Sequence, residues 1–84
     1  MQDGHLDGNA AAGLLSEVFT PEATSATLTC AACGAEGAVA TAIVYTGGPG
    51  TVLRCPACRT VLMRFARVRG RLMADLHGVG ALRF

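Results

Sequence analysis

Four cysteines are the residues of this chain whose spacing most clearly indicates chemistry. They form two Cys-x-x-Cys motifs, Cys30 to Cys33 and Cys55 to Cys58. Two residues between the thiols let a tight turn direct both sulfurs toward one point. Residues 34–54 separate the motifs, slightly more than the about 15 to 20 residues usual in such sites. The pattern therefore predicts one metal ion held by four thiolates.

The ligand set favours zinc in a structural role. Four thiolates close a tetrahedral zinc site, with Zn–S distances of about 2.3 Å and no position for water, so we predict one structural Zn²⁺ and no enzymatic activity. Such an ion contributes on the order of 10 kcal/mol to folding. A chain of 84 residues buries too little surface to depend on its core alone.

Iron is the alternative metal, because electron carriers of the rubredoxin type use the same four ligands, including a Cys-Pro-x-Cys motif. Those proteins tend to be acidic and to surround the metal with aromatic side chains. This chain has no Trp, one Tyr and three Phe, and its formal net charge is +1. Zinc is therefore favoured over iron.

The N-terminal residues and the hydropathy profile predict a cytoplasmic protein without a membrane span. Residues 1–8 carry two aspartates and no Lys or Arg, and no apolar run of signal-peptide type follows them. The longest apolar stretches, such as Ala38 to Tyr45, fall well short of roughly 18 residues. Paired cysteines in a reducing compartment bind metal more often than they form disulfides. A thioredoxin-type dithiol is disfavoured, because no βαβ pattern surrounds either motif.

Residues 1–84 are expected to form a single domain that begins with a helix over residues 7–19. Apolar residues recur there at three- and four-residue spacings, as on one face of a helix. Asp7 or Asn9 is predicted to cap the first turn, and Pro21 to end the helix. The apolar stripe comprises Leu14, Leu15, Val18 and Phe19.

Residues 23–77 are predicted to form an antiparallel β zinc ribbon, so that the fold class is a small metal-stabilised α+β. The predicted strands are 24–29, 39–45, 51–54, 61–68 and 71–76, and residues 78–84 are predicted to be a tail. The last two strands would form a hairpin around Arg69-Gly70, because glycine supplies the positive φ of such a turn. That hairpin would place Arg64 opposite Asp75.

Charge is distributed unequally along the chain. Before residue 51 there are five acids and no Lys or Arg, whereas seven arginines follow it, opposed only by Asp75. We expect the two halves, with formal charges of −5 and +6, to attract each other within the fold. The alternative is a basic surface for nucleic acid, which the low net charge and the few aromatic residues disfavour. Its candidate residues are Arg64, Arg67, Arg69 and Arg71.

The apolar content favours a protein–protein contact. The chain is 51% hydrophobic with a mean hydropathy of +0.42, more than so short a chain can bury. Homodimerisation through Leu14, Leu15, Val18 and Phe19 is the simplest form of this prediction, although the same stripe could instead cover the protein's own sheet. His5 and His77 are interpreted as surface residues rather than ligands. Ser16, Asp75 and His77 match no catalytic motif.

The chain resembles a family of short bacterial zinc-ribbon proteins of unknown function. The resemblance covers nearly the whole chain, and its most specific part is the segment Leu6-Asp7-Gly8-Asn9-Ala10. Further matching segments are Gly13-Leu14-Leu15, the turn from Cys30 to Gly34, residues 49–55, and Val61-Leu62-Met63. The resemblance implies a helix before a zinc ribbon with the four cysteines as ligands, and no assigned activity. Members of the family tend to be encoded beside molybdopterin and flavin oxidoreductases, which implies a companion of a redox enzyme.

Overall fold

The structure, a computed structural model, describes residues 5–7, 11–19, 23–46 and 50–84. These residues form a short helix, two single-turn 3₁₀ helices (Ala23–Ser25 and Val39–Thr41) and short strands. The helix α1 spans Ala12–Val18, and the strands are β1 His5–Asp7, β2 Thr27–Cys30, β3 Glu36–Ala38, β4 Ile43–Tyr45, β5 Gly50–Arg54, β6 Val61–Val68, β7 Arg71–Asp75 and β8 Val79–Arg83.

The strands form two antiparallel sheets. The larger sheet has the order β1-β4-β5-β6-β7 and the smaller one the order β3-β2-β8. β2 of the smaller sheet ends at Cys30, and β5 of the larger sheet ends immediately before Cys55. Each sheet therefore delivers one cysteine motif.

The core lies on one face of the larger sheet. Val44, Leu53 and Met63 are cross-strand neighbours in the ladders that join β4, β5 and β6, and all three are fully buried. Leu15 of α1 is also fully buried and belongs to the same cluster. An isolated seven-residue helix is unstable in water, so this burial is what maintains α1. Phe65 extends the buried row toward the hairpin.

The helix is shorter than the sequence predicts. It begins at Ala12, not at residue 7, because Asp7 lies in β1 and pairs with Ile43. The predicted cap at Asp7 is therefore wrong, and Ala11 occupies the cap position without a side-chain hydrogen bond. Asn9, the alternative cap, and Pro21, the predicted stop, lie outside the described residues.

Two predicted strands begin later than expected, since each is preceded by a 3₁₀ turn. Residues 39–41 form such a turn, closed by the N–H of Ala42 donating to the carbonyl of Val39 (3.0 Å), and only Ile43–Tyr45 is a strand. Thr41 stabilises the turn through its hydroxyl, which donates to the carbonyl of Ala38 (2.6 Å). Similarly, β2 starts at Thr27 rather than at residue 24.

The C-terminal hairpin is confirmed, whereas the predicted tail is wrong. β6 and β7 pair in the expected register, with Arg64 opposite Asp75 and 3.6 Å between guanidinium and carboxylate. Both turn residues, Arg69 and Gly70, have positive φ angles of 53° and 78°. Residues 79–83 are not a tail, because they form β8, which pairs with β2 and packs Leu82 against the core.

The helix stripe covers the protein's own core. Leu15 is fully buried, and Leu14, Val18 and Phe19 are half-buried against the same cluster.

None of the helices in the described part of the chain has the length and the hydropathy needed to cross a bilayer.

Candidate metal centre

The four cysteine sulfurs come together at one point. All four lie within 4.8 Å of one another, and the distances Cys30 Sγ–Cys58 Sγ and Cys33 Sγ–Cys55 Sγ are both 3.7 Å. A tetrahedron with metal–sulfur distances of about 2.3 Å has an edge of about 3.8 Å, whereas a disulfide requires about 2.05 Å. The cysteines are unbridged, and their spacing is that of ligands around one ion.

The two motifs form turns with the same backbone hydrogen bonds. In the first turn, the N–H of Gly34 donates to the carbonyl of Cys30 (2.9 Å) and the N–H of Cys30 donates to Ala35 (2.9 Å). In the second, Arg59 donates to Cys55 (2.8 Å) and Cys55 donates to Thr60 (2.9 Å). The first cysteine of each turn is buried and the second is exposed. The site is thus built from two equivalent halves.

Both turns require a left-handed residue directly after the second cysteine. Gly34 adopts φ 78° there, and Arg59 adopts φ 68° at the equivalent position. Glycine takes this conformation freely, while arginine does so at a cost. The guanidinium of Arg54 donates to the carbonyl of Arg59 (2.8 Å) and lies 5.7 Å from the ring centre of Tyr45, which supports the second turn from β5 and β4.

Gly78 connects the two halves of the site. Its carbonyl accepts a hydrogen bond from the N–H of Ala31 in the first turn (2.9 Å), and its N–H donates to the carbonyl of Leu62, shortly after the second turn (3.1 Å). A Cβ at residue 78 would lie 2.0 Å from the carbonyl oxygen of Val61, so a side chain does not fit. We call Gly78 with these two hydrogen bonds the glycine clasp. Sequence reasoning missed it, since residue 78 fell at the start of the predicted tail.

The four cysteine thiols hold their protons unequally in the folded cluster. The hydroxyl and the N–H of Thr60 stabilise the thiolate of Cys58 and lower its pKa to about 6. For Cys33, the N–H of Ala35 lowers the pKa, but desolvation and thiol hydrogen bonds to the other three sulfurs outweigh it and raise the pKa to about 12. Thiols this close together compete for protons, and a metal ion that bound them would displace those protons.

Residues of the predicted arginine surface do not gather into one patch. Nη2 of Arg67 donates to both carboxylate oxygens of Glu17 in α1 (2.6 and 2.7 Å), and Arg64 pairs with Asp75. Arg69 and Arg71 lie at the hairpin end, in and directly after the turn. Arg83 of β8 pairs with Glu36 of β3 (3.1 Å).

Two of these pairs, from Arg67 and from Arg83, join the basic half of the sequence to the acidic half, as the charge distribution predicts. The imidazole of His77 is 99% exposed and lies 3.7 Å from Asp75, away from the sulfurs. The side chain of His5 lies outside the described part of the chain.

The fold and the site together define a small protein of antiparallel sheets and a short helix, with a cysteine cluster that is consistent with binding a metal ion. The chain belongs to DUF6510, a family of unknown function, whose model matches residues 2–84. Searches of the curated proteins and of the solved structures find no significant match to the chain.

Proposed function

We propose that this chain is a non-enzymatic zinc-ribbon protein in which Cys30, Cys33, Cys55 and Cys58 hold one structural Zn²⁺. The observation that carries the proposal is the sulfur geometry: two distances of 3.7 Å match the edge of a tetrahedral thiolate site. Four sulfurs from two equivalent turns complete the coordination. A closed site of this kind leaves no position for water or substrate, so the ion serves the fold.

The metal would compensate for the small core. Buried side chains of both sheets, among them Leu28 and Leu53, pack into one cluster, but a chain of 84 residues can bury only a limited surface. Because the cysteine pairs belong to different sheets, one ion would fix the sheets to each other. Removal of the ion is therefore expected to unfold the chain, as in other small zinc domains.

We further propose that the protein acts as an interaction or accessory module in the cytoplasm. Support comes from the outer face of the larger sheet, opposite the core, where Val68 and Met73 are 47% and 59% exposed. Nucleic acid is the less favoured partner, since Arg64 and Arg67 are paired with carboxylates. An oxidoreductase is the class of protein partner to test first, because the family resemblance implies a companion of a redox enzyme.

Elemental analysis of protein purified without added metal tests the site. We expect a colourless protein with one zinc per chain. The double variant Cys33→Ser/Cys58→Ser removes the two exposed ligands and should lose the zinc, whereas Ala32→Ser, an exposed change in the same turn, should retain it. Reddish protein with thiolate-to-iron absorption would establish the rubredoxin-type alternative. A metal-free protein that stays folded would refute a structural ion.

The interaction role is tested separately with zinc-loaded protein. Purified oxidoreductases encoded beside the gene are titrated against wild type and against Met73→Asp, which places a charge on the outer face. Binding by wild type that Met73→Asp weakens would support the role. Equal binding by wild type and Met73→Asp would exclude this face as the contact surface, and binding by neither would exclude these oxidoreductases as partners.

A further inference from the structure

The strand β7 is an edge of the larger sheet. It pairs with β6 on one side, and no segment in the described residues pairs with it on the other. Edge strands expose backbone N–H and C=O groups that can pair with another strand. Four of the five residues of β7 are exposed, so the edge is accessible.

The hairpin geometry determines which backbone groups point outward. In a two-residue hairpin, the residues that flank the turn exchange hydrogen bonds, and the pattern then alternates along the ladder. Val68 and Arg71 flank the turn, so Arg71, Met73 and Asp75 bond to β6. The N–H and C=O groups of Leu72 and Ala74 therefore point to the free edge.

These outward groups are complementary to a second copy of the same strand. If two β7 strands run antiparallel with Met73 opposite Met73, Leu72 of each copy lies opposite Ala74 of the other. The two residues then exchange both of their hydrogen bonds, which makes four bonds across the two-fold axis. If the register shifted by one residue, the backbone groups of Leu72 and Ala74 that point to the free edge would face residues whose own groups point to β6, and the hydrogen bonds across the axis would be lost.

Charge complementarity selects the same register. Arg71, Met73 and Asp75 alternate on the outer face of the sheet, and the pairing places Arg71 of each copy opposite Asp75 of the other. The guanidinium of Arg71 has no carboxylate partner within the described residues, and the carboxylate of Asp75 is 46% exposed. Opposite charges directly across an antiparallel pair stabilise it, while like charges destabilise it.

We propose that the protein forms a two-fold symmetric dimer in which β7 pairs antiparallel with β7 of a second copy, with Met73 at the axis. The proposal goes beyond the interaction role proposed above, because it assigns the free edge of β7 to a second copy of this chain and does not depend on which other protein the outer face contacts. The pairing would join the five-stranded sheets of the two copies into a single sheet of ten strands. It would also make the exposed apolar residues Val68 and Met73 and the half-buried Ala66 of the two copies continuous on one face.

The interface is small, so the dimer is expected to dissociate on dilution. Five residues per strand bury less area than a stable dimer of about 1,200 to 2,000 Å² requires. Ion pairs at an exposed interface are also screened by salt. Association is therefore expected to depend on concentration and to weaken as ionic strength rises.

Sedimentation equilibrium of zinc-loaded protein at several concentrations tests the proposal. Wild type should approach twice the chain mass of 8.6 kDa as concentration rises. Arg71→Asp and Asp75→Arg each place like charges opposite each other twice in the dimer. Each is therefore expected to raise the dissociation constant by at least about tenfold.

Mixing the two variants provides the decisive measurement. The Arg71→Asp protein has an aspartate at both residue 71 and residue 75, and the Asp75→Arg protein has an arginine at both. In a heterodimer of the two, each aspartate therefore lies opposite an arginine. We expect the equimolar mixture to associate within about threefold of wild type, which a merely structural defect could not produce. The control variant is Arg69→Asp, which changes the net charge by the same amount as Arg71→Asp but lies in the turn, outside β7. It should dimerise as wild type does.

A second variant tests the backbone pairing itself. Ala74→Pro removes an N–H that points to solvent in the monomer, which an edge strand tolerates, but it blocks two bonds of the dimer. We expect a folded, zinc-loaded monomer. A wild type that remains monomeric at millimolar concentration while holding one zinc would overturn the dimer and leave the zinc site intact. A dimer that the charge variants and Ala74→Pro do not affect would overturn the β7 interface.

Discussion

Gly78 offers a stringent test of how the two halves of the metal centre are held together, through the substitution Gly78→Ala. The added Cβ would lie 2.0 Å from the carbonyl oxygen of Val61 and 2.8 Å from Cα of Leu62, both of which belong to the backbone. Ordinary contacts are longer than 3 Å, so the turn before β8 must move away by roughly 1 Å. That movement breaks or strains the hydrogen bonds from Ala31 (2.9 Å) and to Leu62 (3.1 Å).

The cost follows from these contacts. Overpacking against a fixed backbone costs about 1–3 kcal/mol. Each of the two hydrogen bonds contributes about 0.5–1.5 kcal/mol. The sum is about 4 kcal/mol. If folding and zinc binding are coupled, the apparent zinc affinity should fall by the same free energy, or roughly a thousandfold.

Competition with a chromophoric zinc chelator measures this change directly. Gly80→Ala is the matched control, since a Cβ at residue 80 would meet its nearest neighbours at 3.4 Å, an ordinary contact. We expect Gly80→Ala to bind zinc about as tightly as wild type. If Gly78→Ala also retained wild-type affinity within about threefold, the glycine clasp would have no part in holding the site.

Three further predictions concern the core, the surface charge and the titration of the site. Leu15→Ala should lower the free energy of unfolding by about 2–5 kcal/mol in chelator or denaturant titrations, because the side chain is fully buried; a loss under 1 kcal/mol would contradict its place in the core. Glu17→Gln should cost less than about 1 kcal/mol, and this difference should shrink in high salt, because its ion pair to β6 is exposed. Zinc affinity should fall as pH falls, since an entering ion displaces thiol protons. Zinc that binds an already folded cluster would meet Cys58 as a thiolate at pH 7, since its pKa is lowered to about 6, and Cys33 with a proton to lose, since its pKa is raised to about 12. Zinc binding that is coupled to folding, as proposed above, instead meets unfolded cysteines with pKa values of about 8.5. We therefore expect log affinity to fall steadily once the pH drops below about 8.5, and a slope that changes only below pH 6 would contradict the coupling of zinc binding to folding.

The cysteine cluster and the β6–β7 hairpin could be predicted from sequence because both depend on local chemistry. Two intervening residues suffice to aim a pair of sulfurs at one point, and Arg69-Gly70 suffices to reverse the chain. The ion pair between Arg64 and Asp75 then followed from the register of the two-residue turn. Within each cysteine motif, and at the hairpin turn, the residues that determine the local structure lie within a few positions of one another.

The elements that sequence reasoning missed depend on distant partners. β8 is stabilised by pairing with β2, about fifty residues earlier in the chain, and its sequence, with Gly80 and Ala81 at its centre, has little strand propensity of its own. Val79 and Leu82 are the large apolar residues of this segment, but their three-residue spacing does not match the two-residue period of a strand. β1 likewise exists through pairing with β4, which outweighs the helical pattern that begins at Asp7. Tertiary contacts decide both outcomes.

The glycine clasp also bears on how fast a bound ion could leave. Gly78 is hydrogen-bonded to Ala31 in the first cysteine turn and to Leu62 shortly after the second, so the two pairs of sulfurs cannot move apart while both bonds are intact. Release of an ion would therefore require the segment before β8 to detach first, and a substitution that loosens this segment is expected to speed metal exchange even where it leaves the four sulfurs in place.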